Sequence, residues 1–337
     1  HVDIAREWRA STHAQAMRDP QFLAELAKPK NPRWLCLSCH RPLQAQAPQL
    51  QQADSPLVGA SATEVGELAS RKNPGYVPAL THEAITCATC HVRVAADGRG
   101  TVLGPRGDTA APHRVTQGKA GLRGMCERCH GPPPGEHVTP AFTCWFETHA
   151  ELKAGPSADL HCVDCHMPTV RRPLATGGPV RTSRRHTWVG GGVPKTFAGY
   201  RTLLARGWKP GVAVEVARPT RDAGGWRVPI TLRNAGAGHA VPSADPERHL
   251  LVIARSGAHR WMYRVGQTWD WGDDATGRKA RRLADNRLMP GETRTVEARL
   301  PAEASGDVVV EVAHVRLSPE NLRYSKAAVL DAELKTY

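Results

Sequence analysis

The chain has 337 residues and a formal net charge of +13. That length suits two domains at roughly 150 residues each. Hydrophobic residues make up 40% and charged residues 23%, ordinary for a globular chain. No apolar run approaches the roughly 18 residues that a membrane-crossing helix needs, which excludes a helical integral membrane protein.

In chain order, residues 2 to about 18 are rich in Ala, Arg and Glu and predict a helix stopped by Pro20. A second short helix is expected over 21–27. Segments 42–55 and 95–112 read as loops, the second with four glycines, and 142–152 as a helix with Gly155 as its stop. Residues 190–210, with three consecutive glycines, look like a joint. Beyond them period-two patterns begin, at Val212 to Val216, Trp226 to Leu232, Leu250 to Ile253, Trp261 to Val265, Thr295 to Leu300 and Val308 to Leu317. Asn234-Ala235-Gly236, Ser256-Gly257 and Pro290-Gly291-Glu292 supply turns. The second part is therefore expected to be an antiparallel β-sandwich. The first is expected to be helices and loops with little sheet, giving domains 1–205 and 206–337.

All nine cysteines precede residue 166, and eight form four pairs at one spacing, each followed at once by His. These are Cys36-Leu37-Ser38-Cys39-His40, Cys87-Ala88-Thr89-Cys90-His91, Cys126-Glu127-Arg128-Cys129-His130 and Cys162-Val163-Asp164-Cys165-His166. C-x-x-C-H is the attachment sequence of c-type haem. Two thiols add to the two vinyl groups of one porphyrin, and the next residue projects its imidazole under the iron. A four-cysteine zinc site has no need of a His after each pair. A disulfide framework suits smaller secreted domains, and a thioredoxin-like motif would occur once. Four covalent haems c are expected, with His40, His91, His130 and His166 as proximal ligands. The ninth cysteine, Cys144, reads as a small packed hydrophobe.

Haem changes the reading of the charge. Propionates add about two negative charges per haem, so much of the Arg excess is expected as their counter-charge. Basic residues are dispersed, and nucleic acid is not expected as a partner. Covalent haem attachment takes place outside the cytoplasmic membrane, so a periplasmic or extracellular location is expected, with a leader removed.

Twelve of the sixteen His remain after the proximal four, and the only freely placed Met of the haem region is Met17. That surplus suits bis-His ligation of every iron. Trp8-Arg9-Ala10-Ser11-Thr12-His13-Ala14-Gln15-Ala16 resembles the W-x-x-S-x-H-A-x-A segment of multihaem cytochromes related to the tetrahaem cytochromes of ammonia oxidisers. Ile85 to His91 with Pro112-His113 is similar to the same group, as is Cys162 to Pro168 followed by His186-Thr187-Trp188-Val189-Gly190-Gly191, which also resembles the pentahaem nitrite reductases. The resemblance covers about residues 1–195. It implies distal ligand roles for His13, His113 and His186. His82 is the fourth choice by analogy with multihaem chains, with His137 and His149 in reserve. His161 is too close to Cys162 to ligate another iron. The family carries a haem motif before its W-x-x-S-x-H-A segment, and here only seven residues precede Trp8; His1 is an outside candidate ligand, for a neighbouring subunit.

Asn234-Ala235-Gly236-Ala237-Gly238-His239-Ala240-Val241-Pro242-Ser243 resembles the N-x-G-x-G-H-x-x-P-S/T motif of β-domains appended to multihaem cytochromes. His239 is read there as a locally bonded turn residue, and no His of the second domain is expected as a ligand. The expected function is electron transfer through closely spaced haems, with redox proteins as partners, as a periplasmic carrier or as a homopolymeric conducting filament. The competing expectation is an oxidoreductase acting on a small nitrogen species at one open haem. The Lys-ligated C-x-x-C-K motif of the nitrite reductases is missing here, and the His surplus weighs against an open site.

Overall fold

The computed structural model describes residues 1–27, 33–51, 70–94, 97–107, 111–131, 147–188, 211–270, 272 and 281–316. Helix α1 (Val2–Arg9) ends well short of residue 18. The Ala10 and Ser11 N–H groups close back on the carbonyls of Arg6 and Trp8, and the buried Ser11 Oγ accepts the Ala14 N–H at 3.4 Å. That side-chain bond competes with the helical ladder, so residues 12–18 run as successive turns. Helix α2 (Pro20–Ala27) lies where it was predicted, capped by Asp19, whose Oδ1 accepts the Gln21 and Phe22 N–H groups at 3.0 and 3.2 Å.

Every cysteine pair lies on a helical turn that ends in its own His. These turns are in α3 (Arg33–His40), α4 (Cys87–His91), the α6 segment (Glu127–His130) that follows α5 (Lys119–Arg123), and, after α7 (Thr148–Ala154), α8 (Cys162–His166). The predicted 142–152 helix is present as α7, which stops at Gly155 as expected; 142–146 lie outside the described residues, as do Cys144, His137 and the expected joint.

The expectation of little sheet in the first region is corrected. Strands β1 (Gln49–Gln51) and β2 (Ser70–Lys72) pair antiparallel. Strand β3 (Val92–Val94) pairs with β4 (Gly100–Gly104), which pairs in parallel with β5 (Val115–Gln117). Strands β6 (Thr169–Pro173) and β7 (Val180–Arg184) form a hairpin. The loop readings of 42–55 and 95–112 missed β1 and β4. Strand β1 has only three residues, and in β4 the apolar Val102 and Leu103 stand side by side, so neither shows a period-two pattern.

From residue 211 the chain builds two four-stranded antiparallel sheets. One holds β8 (Val212–Val216), β9 (Thr220–Asp222), β10 (Gly225–Asn234) and β14 (Thr293–Leu300), with β10 central. The other runs β13 (Arg281–Asp285), β12 (His259–Asp270), β11 (His249–Ser256), β15 (Val309–Val315). Val228, Ile230 and Leu232 of β10 alternate inward and pack with Leu250, Val252, Ala254, Val265, Leu288 and Ala298 in one core. Five of the six predicted strands fall within these sheets, and the sixth, 308–317, is present as β15 over Val309–Val315, with Leu317 outside the described residues. Strands β9 and β13 were not predicted, because every residue in them is exposed and no alternation marks them.

The two regions are stitched together rather than cleanly split. The buried Arg287 forms an ion pair with Glu151 of α7, and Arg282 reaches Glu147 at 2.7 Å. Gln21 of α2 donates to Asp245 at 2.7 Å, and Arg316 pairs with Asp19. The expected boundary at 205/206 falls outside the described residues. Among the described residues no helix is long and apolar enough to cross a membrane.

Candidate haem centres

The W-x-x-S-x-H-A segment acts through three bonds. Trp8 Nε1–H donates to the Ile85 carbonyl at 2.7 Å, the Ile85 N–H donates to the His13 carbonyl at 3.2 Å, and Ser11 closes the intervening turn. The segment is thus tied to the chain just before Cys87. The His13 ring is presented to His130, with ring centres 6.1 Å apart.

A second pair forms between His91 of α4 and His186, just past β7, again 6.1 Å apart. His186 is held from its backbone, which donates to Glu7 at 2.9 Å. Glu7 is buried in a two-pronged bond to Arg172, 2.8 Å at each oxygen, with Arg185 at 3.0 Å. Burial pushes the Glu7 carboxyl up, but these guanidinium partners outweigh it and hold it below its ordinary range.

The third pair crosses from the first region to the second. His239 stands 6.4 Å from His166 with ring planes inclined by only 7°. The motif around it explains how. Asn234 Nδ2 donates to the His239 carbonyl at 2.9 Å and the Leu288 carbonyl at 3.1 Å. A Cβ on Gly238 would come within 2.9 Å of Leu152, so glycine lets the loop lie against α7. The Ala240 N–H and the Ser243 hydroxyl both donate to Glu151, at 3.2 and 2.7 Å. The local bond expected for His239 is present, from Nδ1 to the Ala240 carbonyl at 2.9 Å, but the ring also faces His166, which the turn reading missed.

These spacings can be tested against an iron. A metal–nitrogen bond of about 2 Å, plus about 1.2 Å from nitrogen to ring centre, sets imidazoles on opposite sides of one metal about 6.4 Å apart. All three pairs match. Nδ1 of His40, His91, His186 and His239 lies against the carbonyl of Ala16, Leu103, Arg184 and Ala240, respectively, at 2.9 to 3.2 Å. A carbonyl can only accept, so Nδ1 carries the proton and the Nε2 lone pair is free, the usual arrangement of a metal-bound imidazole. Desolvation lowers the His13 imidazole to about 3, and that of His130 and His186 to about 4, with the crowding of other imidazoles, Arg248 near His130 and Arg172 near His186 adding to the shift. Neutral imidazole is the ligating form. Together with four cysteine pairs at thioether spacing, the residues present fit four covalently bound haems c.

Trp188 joins two of the pairs. Its ring lies 4.7 Å from His13 and 5.2 Å from His186, edge-on to the latter. Its φ of 40° is a left-handed conformation that costs a non-glycine residue energy. The cysteines bring the motifs together as well. Cys39 lies beside Cys129 and Cys126 beside Cys162, close enough for each to perturb the other's titration. The Cys126 thiol is pushed up by its neighbour Cys162 and by burial, and that of Cys129 by Cys39 and by burial, with Cys90 close to both. The third motif is therefore the meeting point of the other three.

The remaining candidates fall elsewhere. The His40 ring stacks flat on Phe22 at 3.7 Å. Among the described residues, neither His40 nor His82 belongs to a His–His ring pair. His113 faces His1, not a motif His. His149 lies 3.3 Å from Glu127.

No protein-family model matches the sequence, and no curated protein matches it. Among solved structures, the chain is similar to a penta-haem cytochrome c552 from Thermochromatium tepidum, with a TM-score of 0.61 and 20% identity over 99% of this chain and 93% of that one. At that identity the likeness is one of fold.

Proposed function

We propose that this chain is a multihaem c-type cytochrome whose function is electron transfer, not catalysis. Haem bound at the four motifs supplies one-electron iron chemistry. The chain's residues hold each iron, exclude exchangeable ligands and set the spacing. Cys36, Cys39, Cys87, Cys90, Cys126, Cys129, Cys162 and Cys165 are the thioether positions. His40, His91, His130 and His166 are the proximal ligands. His13, His186 and His239 are the distal ligands for His130, His91 and His166. For the iron of His40, the candidate is His82, the fourth choice by analogy with multihaem chains.

The observation that carries this reading is the repetition of one His–His spacing at three of the four motifs. An iron closed on both faces passes electrons and does not bind substrate. The fold shared with a cytochrome c552 supports the same reading. We place the protein outside the cytoplasmic membrane, where covalent haem attachment takes place, exchanging electrons with redox proteins. We divide it into residues 1–205 and 206–337, the second supplying a ligand to the first.

The test is spectroscopic. Ferric protein should be low-spin without the near-infrared thioether band of Met ligation, and His13→Ala should turn one haem high-spin and open it to carbon monoxide. Stoichiometric carbon monoxide binding by the wild-type ferrous protein would instead favour an oxidoreductase.

A further inference from the structure

His1 and His113 belong to no C-x-x-C-H motif, yet their ring centres lie 6.3 Å apart. That is the spacing of the three motif pairs, at 6.1 to 6.4 Å. Their planes are inclined by 49°, much as in the His13 and His186 pairs at 40° and 38°. His1 also carries the second mark of those ligands: its Nδ1 lies 2.6 Å from the Leu174 carbonyl. The proton is held on Nδ1, and Nε2 is left with a free lone pair. Two exposed imidazoles gain little from each other at this distance. A metal between them satisfies both.

We propose that His1 and His113 are the two axial ligands of a further haem, beyond those of the four motifs. The inference rests on the bis-imidazole reading of the other three pairs. A porphyrin iron has two axial positions. Each motif haem already fills one with His40, His91, His130 or His166, so an iron gripped by both His1 and His113 is none of those four. Eight of the nine cysteines belong to the motifs, and Cys144 alone cannot form two thioethers. The haem is therefore either bound without thioethers or attached through cysteines outside these 337 residues.

Its place in the array follows from the backbone. Helix α1 begins next to His1 and carries Glu7, which accepts the His186 N–H. Strand β5 begins two residues after His113 and pairs with β4, whose Leu103 carbonyl holds His91. Both ligands of the new site are thus wired to the ligands of the His91–His186 centre, and the new site adjoins it. His1 and His113 are both exposed, so this haem lies at the rim, as an entry or exit point for electrons.

The full-length exported protein should contain five haems per chain by iron analysis and pyridine haemochrome. Acid–acetone treatment distinguishes the sources: a haem on outside cysteines stays with the protein, and a non-covalent one is extracted and can be restored with haemin. His113→Ala should convert one haem to high spin or lose it, leaving the other four unchanged. His113→Met should restore a low-spin iron with the near-infrared thioether band, which a merely structural His would not produce. A count of four that haemin does not raise, with a spectrum indifferent to His113→Ala, overturns the inference and leaves the four-haem reading standing. A count below four overturns both.

Discussion

The two regions solve the problem of having an interior in different ways. The β-rich part buries Val228, Ile230, Leu232, Val252 and Val265 completely, in a core closed by two hydrogen-bonded sheets. Among the described residues, the region carrying the cysteine pairs buries Phe22, Leu26, Leu152 and a few alanines, and its sheets are ribbons of two or three short strands. Its most deeply placed side chains include the polar Glu7, Ser11 and Gln46. A chain of that length needs far more apolar burial to offset its conformational entropy. Four porphyrins supply what the side chains do not: in one region the polypeptide is the core, and in the other it is the wrapping.

The largest expected effect comes from removing the wrapped material. Protein in which the eight motif cysteines are replaced by serine should lose the ordered structure of the first region while the β-rich part still unfolds cooperatively. Limited proteolysis should leave a protected fragment beginning near residue 211. Protection of the whole chain would show that the first region has a sufficient core of its own.

Next comes the proposed ligand that crosses between regions. His239→Ala should turn a single haem high-spin and able to bind carbon monoxide, with the β-sheet circular dichroism unchanged. Deleting 206–337 should do the same to the same haem. A low-spin spectrum unchanged from wild type in either variant would return His239 to a purely local role.

The haem attachment sites were legible because thioether chemistry dictates a fixed local spacing. So was the placement of His13 and His186 against motif imidazoles, because their flanking residues carry a pattern: Trp8 and Ser11 make the bonds that present His13, and the Arg-rich run before His186 meets Glu7. The strands with alternating burial were legible too, from β10 to β15 apart from the exposed β13. His239 was not, although its motif was noticed. Its partner is 73 positions away in sequence, between His166 and His239, and the loop–α7 packing that brings them together leaves no periodic signal. The pairing of His113 with His1 was hidden for the same reason. Short strands were lost where no alternation marks them: β1 has three residues, and in β4 the apolar Val102 and Leu103 are adjacent.

A smaller effect is expected at the junction. Arg287 is buried among Glu151, Glu147 and Asp285, and Glu151 also holds Ser243 and Ala240 beside His239. Arg287→Met would leave Glu151 buried without its cation, a loss of about 3–5 kcal/mol for a buried pair. Denaturant unfolding followed by haem absorbance and by β-sheet signal should separate into two transitions. Coincident transitions at the wild-type midpoint would mean that the regions are coupled by other contacts.

The smallest effect is a pH dependence at the same junction. Burial alone would raise the Asp285 carboxyl, but hydrogen bonds and charge from Arg287 outweigh it, with Nε at 2.9 Å and an Nη at 2.7 Å, so the group titrates below its ordinary range. A carboxylate depressed in the folded state contributes stability that is complete above its unfolded pKa of about 4 and is lost as pH falls through the lower folded value. Neutral and mildly acidic solutions should therefore not distinguish wild type from Asp285→Asn in slope, and the variant should be uniformly less stable there. Below about pH 4 the two curves should converge, because protonated Asp285 presents Arg287 with the same loss of charge that the amide does. A constant gap between the curves down to pH 2 would place the contribution of Asp285 in its shape and hydrogen bonds rather than in its charge.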